Sequence, residues 1–480
     1  MKKYLLLCII WFSQLFASNT CSEGITVSMF DESLYSEGNT IFGSADGTCS
    51  AIIDKEGNVI WNSGVDNIIY YNLLDDGGFY GAQYDGALEY PYRGVKFSLI
   101  EPEGAEIVWE EPNEESVHHE FIELPWGDYM GIVNLYQDGP VYPNPYDDEY
   151  IEAGCTPDGV TICWPWRGDK LVIWDKENPN QVKWSWSVFD HYNMIDFDNN
   201  EWNQIPYDFQ TYENLPFNWT HVNAFYFDER DNTILISSRN LSRITKIQIQ
   251  ENNGIISGGD IIWNMGRESA SGDVTFGHDL DFSWQHSISL TDEDNILIFD
   301  NGNYAVEYWG AEIPTSRALA IAVSGSTGDY SASIAFEYIL PDELFGSTSG
   351  NVQQLQNGNY LITTIGNQGT SLEVTSDSTL VWQANYSSYA MWRASRIPQC
   401  PALLGDLNGD GGFNVLDVVI LSNCILAQNC GQGAAAWSGS DCGEAVACYG
   451  CAGDVNGDTG FNVLDVVILS NCILAQNCGD

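Results

Sequence analysis

Two short patterns recur between residues 50 and 385, and together they leave few folds open. The first is an alternating stretch ending on or near tryptophan: GNVIW at 57–61, GAEIVW at 104–109, NQVKWSW at 180–186, GGDIIW at 258–263, YAVEYW at 304–309 and STLVW at 378–382. The second is a turn between apolar stretches: LLDDGGFYG from Leu73, LPWGDYMGI from Leu124, TPDGVTIC from Thr156, DERDNTILI from Asp228, LTDEDNILIF from Leu290 and LQNGNYLIT from Leu355. Asp-Gly and Asn-Gly pairs supply the positive backbone angles of tight hairpins. The flanking alternation marks strands with one buried face. Six copies of each pattern predict six small antiparallel sheets. Packed radially, such sheets protect one another's edges and leave a central channel, so the expected fold is all-β, a six-bladed β-propeller over residues 19–399. A sandwich is the alternative, but it is usually smaller and leaves the paired recurrence unexplained.

The ends of the chain read differently from the middle. Residues 1–18, with two lysines, an apolar run and a small residue near Ala17, read as a signal peptide, too short for a permanent anchor. Nothing later resembles a membrane span, so a secreted or cell-surface protein is expected. Thirteen cysteines are present, and loss of Cys8 with the signal leaves twelve. An even number in an exported chain reads as disulfides before metal ligands; Cys155 with Cys163, and Cys21 with Cys49, are the local candidates. The formal charge of −50, from 67 acidic against 17 basic residues, repels nucleic acid and anionic membranes. With 17 Trp, 25 Tyr and 20 Phe the chain is nonetheless no candidate for disorder.

Only six histidines occur, and three of them stand at matching places in the pattern. His119 precedes the turn at Leu124, His221 opens HVNAFYFDERDNTILI and His286 precedes the turn at Leu290. In a propeller the first strand of each blade lines the axis, so these imidazoles are expected to meet in the funnel. There they could bind an anion, transfer a proton or act as nucleophiles; a hydrogen bond to a carbonyl within each blade is the plainer possibility. His118 is expected to point opposite His119, as on any extended strand. His278 is a less regular candidate and His191 reads as structural. Three histidines also raise zinc, although no compact metal-ligand spacing is present. Arg317 in PTSRALA is the favoured anion ligand, because arginine stays charged and presents a planar fork of donors. Arg239 and Arg267 rank after it, each equally readable as a surface ion pair.

These stretches resemble the arylsulfotransferase family: HHEFIELPWGDYM at 118–130, NWTHVNAFYFDERDNTILISSRNLSRI at 218–244, WQHSISLTDEDNILIFDNGN at 284–303, SRALA at 316–320 and GNVQQLQNGNYLIT at 350–363. The resemblance implies a six-bladed propeller that moves a sulfuryl group from a phenolic sulfate donor to a phenolic acceptor through a histidine intermediate. By motif, His221 is similar to the family's WTH histidine, His286 to its QH histidine and Arg317 to its sulfate-positioning arginine, with Asn223 and Asn301 as orienting groups and His119 assisting proton transfer. There is one departure. The family nucleophile is expected in a later blade, yet no histidine follows His286; Ser347, Ser349 and Asn351 are the nearest polar residues. A noncatalytic propeller that binds an anionic or aromatic ligand is therefore the competing reading, and a structural cell-surface protein a third.

Residues 400–480 carry a different repeat. DLNGDGGFNVLDVVILSNCILAQNC from Asp406 returns as DVNGDTGFNVLDVVILSNCILAQNC from Asp454. Asp406, Asn408, Asp410, Asn414 and Asp417 fall at positions 1, 3, 5, 9 and 12 of a calcium loop, with the Gly412 carbonyl at position 7. Asp454, Asn456, Asp458, Gly460, Asn462 and Asp465 repeat the cadence. Calcium needs several hard oxygen donors around a tight turn, and VVILSNCILA after each loop predicts a short helix. The pair resembles dockerin type I repeats, which implies Ca2+ and attachment to a cohesin or cell-surface scaffold; the insert between the copies departs from that family's compact pattern. The expected architecture is thus the propeller plus a small C-terminal paired calcium loop-helix module.

Overall fold

The computed structural model describes residues 24–44, 49–64, 67–73, 79–84, 92–97, 105–106, 117–144, 146–197, 216–326, 328–386, 391–398, 405–407, 412–427, 453, 455 and 462–475. The strands form six antiparallel sheets. The first strand of each touches the first strand of the next and the circle of contacts closes, which makes the body a six-bladed propeller. Listed from the axis outward, blade 2 is Ile68–Leu73, Phe79–Tyr84, Tyr92–Phe97 and Ala105–Glu106; blade 3 is Val117–Glu123, Tyr129–Pro140, Ile162–Trp174 and Val182–Ser187. Blade 4 is Val222–Asp228, Thr233–Ser238, Arg243–Asn252 and Ile255–Gly266; blade 5 is His286–Leu290, Ile296–Asp300, Arg317–Ser326 and Asp329–Ile339.

The two remaining blades close the ring with strands from opposite ends of the chain. Blade 6 is Asn351–Gln354, Tyr360–Thr364, Thr370–Val374 and Leu380–Asn385, and the early strand Thr26–Phe30 is added at its outer edge. Blade 1 is built outward from the late strand Met391–Pro398 to Gly38–Ser44, Cys49–Ile53 and Val59–Asn62. Two side-chain amides join these blades at the axis. Asn351 donates to the Ala394 carbonyl and accepts from its N–H, both within 2.9 Å, and Gln353 does the same for Arg396. Each amide thus substitutes for one peptide unit of a neighbouring strand, which satisfies backbone groups that would otherwise be buried unpaired.

The two sequence patterns have distinct structural meanings. Five of the turns join the first and second strands of a blade, while TPDG lies in the excursion between the second and third strands of blade 3. Five tryptophan patterns fall on fourth strands, where indoles fill the wedge between blades. Trp184 and Trp186 donate to the Gly258 and Gly259 carbonyls of blade 4, and Trp382 of blade 6 donates to the Lys55 carbonyl beside blade 1. The sixth, YAVEYW, is not a strand: Ala305–Tyr308 is a short helix, because the preceding FDNG turn delivers the chain onto the top of blade 5. That turn requires glycine. Gly302 has φ +65°, and a Cβ there would lie 1.7 Å from the Thr315 carbonyl oxygen.

The Cys155–Cys163 disulfide is present, and Cys49, Cys424 and Cys472 are also disulfide-bonded. Beyond the propeller, two α-helices, Val415–Ala427 and Val463–Ala475, share a small core of Leu407, Ile420, Leu421, Cys424 and Leu469. Each is capped reciprocally: the Asn414 side chain accepts the Leu416 N–H while Asp417 accepts the Asn414 N–H, and Asn462, Leu464 and Asp465 repeat this. The signal-peptide residues 1–18 lie outside the described residues, as do Asn408, Asp410, Asp454, Asn456, Asp458 and Gly460. Among the described residues no helix is long and apolar enough to cross a membrane.

Candidate active site

The inner strands of blades 3, 4 and 5 begin at the funnel, and each has a histidine within two residues of its start: His118 and His119, His221, and His286. Four imidazoles form a row: ring centres are 4.9 Å apart for His118 and His119, 5.1 Å for His119 and His221, and 6.3 Å for His221 and His286. The backbone is unusual here. His119, His221, Trp284 and Ser287 all have φ between 48° and 65°, a left-handed region costly for residues with a Cβ. At His119 this coincides with a bulge, so alternation fails and His118 joins the row instead of pointing away; the two Nδ1 atoms are 2.7 Å apart. His278 and His191 stay outside, bonded to the Gly266 and Ser187 carbonyls.

Neighbouring amides fix two tautomers, and they fix them oppositely. Asn301 donates from Nδ2 to the Gly346 and Ser349 carbonyls, which turns its Oδ1 toward His286 Nδ1 at 2.7 Å. The Trp284 carbonyl lies 3.2 Å from the same nitrogen. Facing two acceptors, Nδ1 must carry the proton, and Nε2 keeps its lone pair. At His221 the logic reverses. Arg167 donates to Asn218 Oδ1, so Asn218 Nδ2 faces His221 Nδ1 at 2.8 Å and donates to it. The His221 proton therefore sits on Nε2. One imidazole offers a nucleophilic nitrogen and its neighbour a hydrogen-bond donor.

Burial holds His119, His221 and His286 neutral. His119 and His221 lie well below the ordinary imidazole range, lowered first by desolvation and then by neighbouring imidazoles and, for His221, by Arg239. His286 is pushed down to about 3 by burial and by Arg239. An unfolded histidine titrates near 6.5, so the unfolded chain takes up protons below that pH while these three folded imidazoles do not. Stability present above pH 6.5 is lost as pH falls toward the folded values, at up to about 1.4 kcal/mol per pH unit for each imidazole. The urea midpoint should therefore fall steeply between pH 7 and 5, and less steeply in His286→Asn; a constant midpoint over that interval contradicts three buried neutral imidazoles.

The arginines are placed otherwise than the sequence suggests. Arg317, expected on a sulfate, bonds Asp300 at 2.7–2.8 Å, Glu337 at 2.8 Å and the Leu280 carbonyl at 3.1 Å. Asp300 also accepts the Ser283 and Gly302 N–H groups, so this pair anchors the turn that carries Asn301. Among the arginines beside the row is Arg239. Its N–H donates to the His221 carbonyl, and its guanidinium stacks 3.7 Å over Trp284 while donating to Asn240. Asn240 lines a cavity of about 380 Å³ with Arg243, Arg267 and Tyr308. An aromatic series of Trp284, Tyr304 and Tyr308 runs from Arg239 to Arg267. Asn223 donates to the Gln285 carbonyl, and Asn351 is committed to Ala394. Asn218 and Arg393 are residues that sequence reasoning missed; for Asn218 the NWTH motif itself held the signal.

An arylsulfotransferase (ASST) family model matches residues 168–387, a span that contains His221, His286 and Arg317. No curated protein sequence matches the chain. Among solved structures, a protein of unknown function from Bacteroides caccae aligns at 10% identity over 75% of this chain and 98% of its own, with a TM-score of 0.39. The Pseudomonas aeruginosa periplasmic gluconolactonase aligns at 10% identity, 75% and 98% coverage and a TM-score of 0.35. An inactive virginiamycin B lyase from Staphylococcus aureus aligns at 10% identity, 75% and 74% coverage and 0.27. Scores this low tie the chain to none of those activities. The molecule is a six-bladed β-propeller in which residues 168–387 are similar to the arylsulfotransferases.

Proposed function

We propose that the protein transfers a sulfuryl group from a phenolic sulfate to a phenol through His286. The observation that carries this reading is the tautomer pair, with Nε2 of His286 unprotonated and Nε2–H of His221 in the adjoining ring position. The lone pair of His286 Nε2 attacks sulfur, an N–S bond forms, and the S–O bond to the donor ring breaks with its electrons leaving on the phenolate oxygen. His221 Nε2–H hydrogen-bonds that oxygen without giving up its proton, since a neutral imidazole is a poor acid. Arg239, held over Trp284, is the cation assigned to the sulfate oxygens. The acceptor oxygen then attacks sulfur, the N–S bond breaks, and the acceptor's proton passes to the departed phenolate, so charge and protons balance. Incubation with an aryl sulfate and a phenol should give sulfated acceptor; absence of product across varied donors contradicts the reading.

A noncatalytic propeller binding an anionic or aromatic ligand is the second reading. It is favoured by the lack of any histidine after His286 and by blade 6, where Asn351, one of the nearest polar residues, is spent on Ala394. Aryl sulfate binding without turnover would support it.

For the C-terminal helices we propose two Ca2+ sites and secretion to a surface scaffold, with a cohesin-type protein as partner. Asp406 and Asp417 are buried carboxylates in the first loop, and Asp465 is buried in the second, a donor chemistry suited to calcium. The helices expose Val415, Leu416, Val419 and Leu426, repeated as Val463, Leu464, Val467 and Leu474, an apolar surface suited to attachment. EDTA should lower the helical circular dichroism and expose this segment to protease, and added calcium should restore both. Unchanged helicity after chelation contradicts the calcium sites.

A further inference from the structure

We propose that Arg393, on the last strand of the propeller, is a positioning residue that sets the spacing of the imidazole row, so that the site is complete only when the chain closes its ring. The inference rests on the row being the site. Arg393 reaches from the inner strand of blade 1 toward blades 2, 3 and 4. Its Nη1 donates to Glu120 Oε2 at 2.7 Å and to the Tyr71 carbonyl at 3.2 Å, and its Nη2 donates to the Asn223 carbonyl at 3.1 Å. Glu120 directly follows His119. Asn223 stands two residues beyond His221, and its side chain donates to the carbonyl of Gln285, the residue before His286, at 2.8 Å. One guanidinium thus holds, directly or through a single amide, all three segments that carry the inner-strand histidines.

The chemistry of this contact favours positioning over stability. A buried ion pair is seldom worth more than the apolar packing it displaces, and its best-attested use is to fix register. The guanidinium fork is planar and rigid and donates here from two separate nitrogens, whereas an ammonium group would keep the charge and three donors but present them from a single nitrogen. Arg393 and Glu120 are 273 residues apart in sequence, so nothing local brings them together. The contact forms when Met391–Pro398 docks between Gly38–Ser44 and the axis, the step that also joins blades 1 and 6. Site assembly is thereby coupled to ring closure, and an open ring cannot hold a spaced row.

The test uses the full-length protein labelled with 15N-histidine, whose six imidazoles give a small, assignable set of signals. Arg393→Lys is compared with the neutral pair Arg393→Gln with Glu120→Gln, which leaves no charge orphaned. In both, the His119, His221 and His286 signals should move and His221 and His286 should lose their opposite tautomers, while His191 and His278 stay in place. Turnover of an aryl sulfate should fall about 100-fold, the scale of small misplacements at a reacting centre. Unmoved imidazole signals in Arg393→Lys, or in the neutral pair when it folds, overturn the proposal. If the wild type turns over no aryl sulfate but the signals still move, the function fails while the positioning role stands.

Discussion

His286→Ala is expected to lower sulfuryl transfer at least 1000-fold, with the propeller's circular dichroism retained. The size follows from its place in the reaction: without Nε2 there is no atom to carry the group between donor and acceptor, and losses of a nucleophile are of this order or larger. Its orienting amide should matter less but in a recognisable way. Asn301→Leu removes the nearer of the two acceptors that keep the proton on Nδ1, leaving the Trp284 carbonyl, so part of the His286 population turns its lone pair away from sulfur. A loss of roughly 100-fold in kcat with a smaller change in KM is the expected pattern. Full activity in His286→Ala would place the nucleophile elsewhere.

Arg317→Met and Arg239→Met should separate along different axes. Arg317 is almost fully buried, and its removal strands Asp300, whose carboxyl burial already pushes upward in pKa. Breaking one side of a buried pair costs about 3–5 kcal/mol, so Arg317→Met should unfold at much lower urea concentration. Arg239 has its stacking on Trp284 and its bond to Asn240 to lose. Its replacement should raise KM for the aryl sulfate about 10-fold or more with a smaller loss of stability. Paired urea titrations and steady-state kinetics distinguish the cases. A stable Arg317→Met protein with weakened donor binding would return the sulfate to Arg317.

The contrast between these arginines shows where the sequence is legible. Strand alternation and Asp-Gly or Asn-Gly turns are local, so five of six hairpins and five of six tryptophan strands can be read directly; YAVEYW fails because a helix and a strand differ little over six residues. The placing of His119, His221 and His286 at inner-strand starts follows from the same repeat. What no local pattern carries is which arginine faces the row. Arg317 and Asp300 are paired through strand register, and Arg393 reaches Glu120 only through ring closure. His118 is hidden for another reason: the left-handed backbone at His119 breaks the alternation on which its outward position was reasoned. In the C-terminal repeats the helix starts are legible, because the Asn and Asp that cap each helix stand at the same places in both copies.

The most direct measurement is to incubate the protein with a 35S-labelled aryl sulfate in the absence of acceptor, quench at alkaline pH and map the labelled peptide. The account predicts label on the peptide that contains His286, discharged on adding a phenol and absent from His286→Ala. Label on a different residue, or product formed with no labelled protein at any time, would contradict it.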